Sequence, residues 1–341
     1  MRKTQVTAQQ VAERAGVSLT TVSFVMNNKT GASISEATRL KVLDAAEELG
    51  YFPHITARSL ARGRTSNIGL LLFRPHQRIF IDPFMPNLIT GFSEIANQEG
   101  YRLLVQNIDD SDIITPVKTM LRGGEVAGLV VAGFDVENGD MLLPLIKDGY
   151  PVVPIDPMNN PAISYVSIDH PSGVKDVIYH LIRLNHTKIG CITYGPFNRV
   201  KQRLQAYRQA LESSGIAYDE GLIREGQYDP ETGYLAALSL LRERPDMTAI
   251  FGMNDMMALG ALSAIHESGL RVPQDIAVVG YDDMRFSPYL YPRLTTVRAP
   301  EVELGRQAAI MVLDQIRGTL IAPKYVSLKS ELIIRDTCGA S

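Results

Sequence analysis

The chain has 341 residues, 45% hydrophobic and 21% charged, enough for two or three domains with large cores and too apolar for a disordered polymer. A net charge of −3 argues against general nucleic-acid affinity for the whole molecule. No run of 18 apolar residues occurs, and Met1–Val11 lacks an apolar segment, so neither a membrane-spanning helix nor a secretory signal is expected. Cys191 and Cys338 make a poor disulfide framework and read as reduced thiols in a cytoplasmic protein.

Thr7-Ala8-Gln9-Gln10 has the form of a capping box, and Ala8, Val11, Ala12 and Ala15 follow at helical spacing. Gly16 closes this short helix. Ser18 caps a second helix with Val22, Val25 and Met26 inward, and the cluster Asn27 to Gly31 stops it. Ser35 caps a third, whose apolar face is expected to be Ala37, Leu40, Leu43, Ala45, Ala46 and Leu49, with Gly50 at its end. Two short helices joined through Gly16-Val17 and backed by a third predict an all-α helix-turn-helix head. Pro53, a helix-capable run from Ile55 to Arg62, and a linker-like Gly63–Asn67 come next.

From Ile68 apolar strands (Ile68–Phe73, Tyr101–Gln106, Gly128–Ala132, Val152–Ile155) alternate with helices near 86–99, 115–122 and 139–148. A second series runs through strand Tyr165–Ile168, helix 173–184, strand 188–194 and helix 199–214. It continues with helix 231–242, strand 248–252, helix 255–268 and strand 276–280. Alternation of this kind predicts parallel sheets covered by helices on both faces. Two series of similar size predict an α/β core of two doubly wound lobes with a ligand cleft between them.

Charge is unevenly spread. Residues 1–65 hold nine Lys/Arg against five Asp/Glu, a net of +4, and the remainder carries −7. A basic head on an acidic body suits a phosphate-contacting module. Gly-x-Ser-x-Gly, Gly-x-x-x-x-Gly-Lys and Gly-x-Gly-x-x-Gly are absent, and the six His show no metal-ligand spacing. Nothing therefore points to an enzyme or to a cofactor. A transport protein would need a signal peptide and would not have the head.

Several motifs then stand in order. They are Val6 to Ser18 with Thr21-Val22-Ser23 and Asn27-Asn28, then Leu49-Gly50-Tyr51-Phe52-Pro53 and Ala57-Arg58-Ser59-Leu60. Asn254-Asp255, Val279-Gly280-Tyr281-Asp282-Asp283 and Leu294-Thr295-Thr296-Val297 follow. Together they resemble the LacI/GalR family of transcription regulators across nearly the whole chain. The resemblance implies a helix-turn-helix head over 1–53, a hinge helix and linker over 54–65, and an effector core over 66–341 similar to periplasmic sugar-binding proteins. Its first lobe would take about 66–160 and 297–320, its second about 161–293 and 324–341.

The family's behaviour also implies roles. Leu19, Thr20 and Phe24 would face base edges, and Thr21 and Ser23 would hold phosphates. Thr7, Ser18 and Asn27 complete the head's DNA contacts. The alternative for Leu19 and Phe24 is the head's own core. Leu60 would enter the minor groove as a wedge flanked by Arg58 and Arg62 on phosphates, or pack on its dimer mate. Asp156, Arg203, Asn254 and Asp282 would bind the effector's polar groups, with Phe84, Phe197, Arg199 and Tyr228 lining the cleft. For each, the plainer reading is a cap or a surface ion pair, Asn254 capping its helix for instance. His170, near a strand end, reads as structural. Unlike the family's purine-responsive branch, the chain has Asn at 254 and Phe rather than Arg at 197. It therefore leans toward a sugar effector. The final residues carry no leucine heptad, so the expectation is a homodimeric, cytoplasmic repressor on a pseudo-palindromic operator.

Overall fold

The computed structural model describes residues 6–26, 34–52, 65–73, 84–108, 114–133, 139–195, 198–320 and 323–340, the side chains at 139–140 and 198–199 excepted. Contacts divide the chain into one unit over Met1–Ser66 and another over Asn67–Ser341. No helix among the described residues is long and apolar enough to cross a membrane.

The first unit holds three helices, α1 (Ala8–Ala15), α2 (Leu19–Met26) and α3 (Glu36–Leu49). Local chemistry sets their ends. The Thr7 amide donates to Gln10 Oε1 at 2.9 Å while the Gln10 amide donates to Thr7 Oγ1 at 3.4 Å, a reciprocal box that satisfies two orphan donors. Gly16, at φ 67°, ends α1 in the left-handed conformation. Ser18 Oγ accepts from the Thr21 amide and Ser35 Oγ from the Thr38 amide. Val11, Ala12, Val22, Val25, Val42, Ala45 and Ala46 form the core, each buried Val contributing on the order of 2 kcal/mol. The face of α3 departs from expectation. Leu40 is 51% and Leu43 42% exposed, and Ala37 also lies outside. The small core between α1 and α2 admits Val42, Ala45 and Ala46, so the buried stripe is rotated away from the larger leucines.

The second unit contains two four-stranded parallel sheets. In chain order the first lobe builds β1 (Asn67–Phe73), α4 (Phe84–Gln98), β2 (Arg102–Ile108), α5 (Ile114–Arg122), β3 (Leu129–Ala132), α6 (Gly139–Lys147) and β4 (Val152–Pro154). Its strand order is β2-β1-β3-β4. Along β1, Ile68, Leu70 and Leu72 join one core with Leu88 and Phe92 of α4, while Leu71 and Phe73 join another with Val117 and Met120 of α5. This two-faced burial explains why the strand is apolar throughout.

After β5 (Tyr165–Asp169) come α7 (His170–Arg183), β6 (Ile189–Tyr194), α8 (Asn198–Ser213), β7 (Ile223–Gly226), α9 (Pro230–Glu243), β8 (Ala249–Gly252), α10 (Asp255–Glu267) and β9 (Ala277–Val279). Their sheet has the order β7-β6-β8-β9. β10 (Thr296–Arg298), α11 (Glu301–Arg317), β11 (Tyr325–Lys329) and β12 (Glu331–Ile333) complete the unit. Expected to open the second series, β5 instead pairs with β11 and is bridged to β4 at Ile155–Val166. β10 pairs antiparallel with β12, and a Val279–Thr295 bridge joins that ladder to β9.

Among the described residues, each sheet carries a helix pair whose backbones touch at glycines. A Cβ on Gly91 of α4 would lie 1.8 Å from the Val302 carbonyl of α11, and one on Gly305 of α11 2.1 Å from the Leu88 carbonyl. Between α9 and α10, Gly233 and Gly260 meet the Met257 and Pro230 carbonyls in the same reciprocal way. Glycine is the residue that permits such approach.

Candidate functional sites

On the head, Val22 and Val25 point inward while Leu19 (50% exposed), Thr20 and Ser23 point outward. Thr21 and Phe24 lie between, each half-buried. Leu19 thus stands outside the head's core, and Phe24 is not among its buried members. Ser18 and Thr21 are joined through their hydroxyls at 2.9 Å. Thr7, though exposed, has its hydroxyl committed to the capping box. Asn27, Arg58, Leu60 and Arg62 lie outside the described residues.

In the second unit, the carboxyl ends of β7, β6, β8 and β9 carry Tyr228, Tyr194, Asn254 and Asp282. In parallel α/β sheets this edge is where ligands bind. Asp156 stands just beyond β4 of the first lobe, its amide donating to the Val166 carbonyl at 2.9 Å. Asp156, Tyr228 and Asp282 all have positive φ, at 84°, 69° and 107°, a conformation that non-glycine residues adopt at a cost of about 1–3 kcal/mol and that clusters at binding sites.

Arg203, in the second turn of α8, is only 4% exposed. Its Nη1 donates to the Tyr194 hydroxyl and the Met253 carbonyl, both at 3.0 Å, and its Nη2 lies 2.9 Å from His170 Nδ1. The Tyr281 ring covers the guanidinium, with Cζ 4.2 Å from the ring centroid. One prong of the expected fork is therefore committed to protein acceptors, and a bidentate contact must use the opposite edge. Burial pushes the Tyr281 phenol up, so it stays protonated.

Asn254 follows its plainer reading. Its Oδ1 accepts from the Met257 amide at 2.7 Å, capping α10, and its Nδ2 donates to the Tyr228 carbonyl at 3.2 Å. It is buried and fixes the backbone of Tyr228, whose ring packs on Tyr194 with centroids 3.7 Å apart. Phe84, half-buried, opens α4. Phe197 and the Arg199 side chain lie outside the described residues.

Beneath Asp282 lies a polar network that the sequence did not disclose. Asp255, fully buried, accepts from Ser287 Oγ at 2.6 Å, Thr296 Oγ1 at 2.5 Å and the Met284 amide at 2.8 Å. Loss of solvent pushes its carboxyl up to about 7 against the pull of those donors. Asp283 holds Arg335 at 2.6 Å and Arg298 of β10 at 2.8 Å. Tyr194 and Tyr281 were not among the expected site residues, yet with His170, read as structural, they surround Arg203. Aromatic residues at strand ends carry the same sequence signature as core.

A small helix-turn-helix unit followed by a two-lobed, periplasmic-binding-protein-like α/β core, with polar groups gathered at strand carboxyl ends, defines a ligand-responsive DNA-binding protein. Comparison with known proteins agrees. Residues 7–54 match the family described as bacterial regulatory proteins, lacI family, and residues 178–338 match the periplasmic binding protein-like domain. The HTH-type transcriptional regulator CelR of Thermobifida fusca is 33% identical, covering 98% of this chain and 99% of its own. The HTH-type transcriptional repressor CytR of Escherichia coli (strain K12) is 32% identical, covering 99% of this chain and 98% of its own. Among solved structures, the lac repressor dimer bound to operator and the anti-inducer ONPF has a TM-score of 0.86 at 30% identity, covering 98% of this chain and 100% of that one. The CelR–cellobiose complex has a TM-score of 0.72 at 32% identity, with the same coverage. The chain belongs to the lacI family of bacterial regulatory proteins and is a transcriptional regulator.

Proposed function

We propose that this regulator is a repressor of carbohydrate-utilisation genes, acting in the cytoplasm as a homodimer on a pseudo-palindromic operator and controlled by a sugar held between its core lobes. The observation that carries the reading is the strand-edge cluster. At the carboxyl edge of the second sheet Asp282 in a positive-φ turn, the buried Arg203 guanidinium and the Tyr194–Tyr228 pair follow successive strands, and Asp156, also at positive φ, follows β4 of the first sheet. Carboxylates accept from adjacent sugar hydroxyls, a guanidinium donates to them, and aromatic faces cover the ring's apolar side. The cellobiose bound in the related CelR structure supports the ligand class, and the operator-bound lac repressor dimer supports the DNA and the assembly. Nothing in the cluster needs to react; its task is to bind, without cofactor.

A thermal-shift screen against cellobiose, other sugars, hypoxanthine, guanine and cytidine tests this. A ligand at 100 times its Kd stabilises the native state by about 2.7 kcal/mol. The expected result is a raised melting temperature with a sugar. A rise with a nucleobase or nucleoside and with no sugar contradicts it.

On the head we assign Leu19, Thr20 and Phe24 to base edges and Thr7, Ser18, Thr21, Ser23 and Asn27 to the backbone side. At the hinge we assign Leu60 to the minor groove between Arg58 and Arg62. Phe24 departs from the Arg common in the family and has no donor for guanine, but its ring packs against a thymine methyl. Phe24→Arg is expected to move the preference at the facing base pair toward G·C, by roughly 1–3 kcal/mol. Selection from a random DNA pool with both proteins checks this, and an unchanged preference refutes it.

A further inference from the structure

His170 is the first residue of α7, delivered there by β5, and only 7% exposed. Asp169 caps the helix by accepting from the Ser172 amide at 3.1 Å, so the turn from strand to helix is fixed one residue before the imidazole. β5 is the strand bridged to β4 directly before Asp156. His170 therefore sits where the chain passes from the first sheet into the second lobe.

Its contacts are specific. Arg203 Nη2 lies 2.9 Å from Nδ1 and 3.4 Å from Nε2. A bond along one lone pair in the ring plane would leave the opposite ring nitrogen well beyond contact. The two similar distances place the guanidinium nitrogen over the face of the imidazole instead. The Tyr281 hydroxyl lies 2.9 Å from Nδ1, and the two rings, 5.6 Å apart and tilted by 56°, form a corner into which the guanidinium packs. Helix α7 comes close enough to make this possible because Gly173 has no side chain. A Cβ there would stand 3.1 Å from the Tyr281 hydroxyl and 2.3 Å from Ser330 Oγ. A neutral imidazole gives the cation an electron-rich face. A protonated one would set two positive charges in contact in a buried site, at the positive end of a helix.

We infer that His170 is a positioning residue for the cleft: it fixes the Arg203 guanidinium and the Tyr281 ring against the crossover strand β5, and so sets how well the cleft takes a hydroxyl-rich ligand. Tyr281 precedes Asp282, so the same contact orients the loop bearing that carboxylate. The inference rests on the proposed effector site, but its first test does not need an effector.

The experiment uses the full chain with 15N-labelled arginine. Arg203 Nη2–H signals, assigned by their loss in Arg203→Lys, are expected to be resolved and shifted by the neighbouring rings. His170→Leu fills the volume with neither a π face nor an acceptor, so it is expected to fold and to merge these signals. His170→Phe restores the face and is expected to keep them resolved. Calorimetry with cellobiose is expected to show roughly tenfold weaker binding in the Leu variant, with near wild-type binding in the Phe variant. Arg203 signals unchanged in His170→Leu overturn the inference, whether or not cellobiose binds. Failure of the wild type to bind any sugar counts against the sugar reading alone.

Discussion

Arg203→Ala is expected to abolish the response to the effector and to destabilise the core together, with the head still able to bind DNA. Truncation removes a side chain that is 4% exposed and strands the Tyr194 hydroxyl and the Met253 carbonyl, both of which it satisfies. A cavity and a buried acceptor without a donor each carry a cost, together about 4 kcal/mol. Those two groups end β6 and follow β8, while His170 and Tyr281 follow β5 and β9. One guanidinium thus gathers four strand ends, and its loss loosens the edge on which the proposed ligand sits. Urea denaturation checks the first effect. Operator binding with and without the sugar that stabilises the wild type checks the second. Asp282→Asn separates them, because it removes the charge proposed to meet the ligand and leaves Arg203 in place. Full stability in Arg203→Ala, or a normal response in both variants, refutes the assignment.

Asp255→Asn is expected to change how stability depends on pH. The Asp255 carboxyl is raised from 3.8 to about 7 in the folded chain, by burial. Its contribution is fully present below pH 4. It then falls as pH rises, because the unfolded chain releases its proton before the folded one does, and it levels off above about 7. At 1.36 kcal/mol per pKa unit the change is on the order of 4 kcal/mol. Asparagine keeps an acceptor for the Met284 amide, and the Ser287 and Thr296 hydroxyls can turn to meet its carboxamide. The variant lacks the titration, so wild type should lose stability relative to it between pH 4 and 7. Denaturation of both chains across that range checks the sign. Parallel curves contradict it.

What the sequence disclosed was mostly local. Thr7 and Gln10, Gly16, Ser35 and Gly50 act within one helical turn of where they stand, and the structure uses each as read. The strands of the two parallel sheets announce themselves as apolar runs because both faces are covered. Elements that depend on distant partners were hidden. β7, reading Ile-Arg-Glu-Gly, is recognisable only beside β6, and β10 only through Thr296–Ile333 pairing with β12. β5 reads as the start of the second lobe because it precedes α7, yet its neighbours are β4 and β11. Leu40 and Leu43 have the period of a buried face, but the stripe on α3 is chosen by the helices it meets.

The site divides in the same way. Asp156 and Asp282 lie just beyond strand ends, where motif and strand pattern together put them. Asn254 was read either as a ligand contact or as a helix cap, and both ends of its amide bind protein. Arg203 was expected as a ligand clamp, but its burial by Tyr194, Tyr281 and His170 is a tertiary fact. Asp255 carries no local mark separating it from an ordinary first-turn acid, and only Ser287, Met284 and Thr296 reveal its burial.

In the proposed regulator, sugar binding in the core is coupled to operator binding by the head. Coupling requires a ligand that binds two arrangements of the core unequally, and by linkage the operator must alter sugar affinity by the same factor. The direct measurement is a titration of full-length protein with its selected inverted-repeat operator, at fixed salt, with and without the stabilising sugar, paired with sugar titrations with and without operator. Operator affinity is expected to change by about 5- to 150-fold, mirrored in the sugar affinity. A sugar that binds the core tightly and leaves operator affinity unchanged would contradict the coupling.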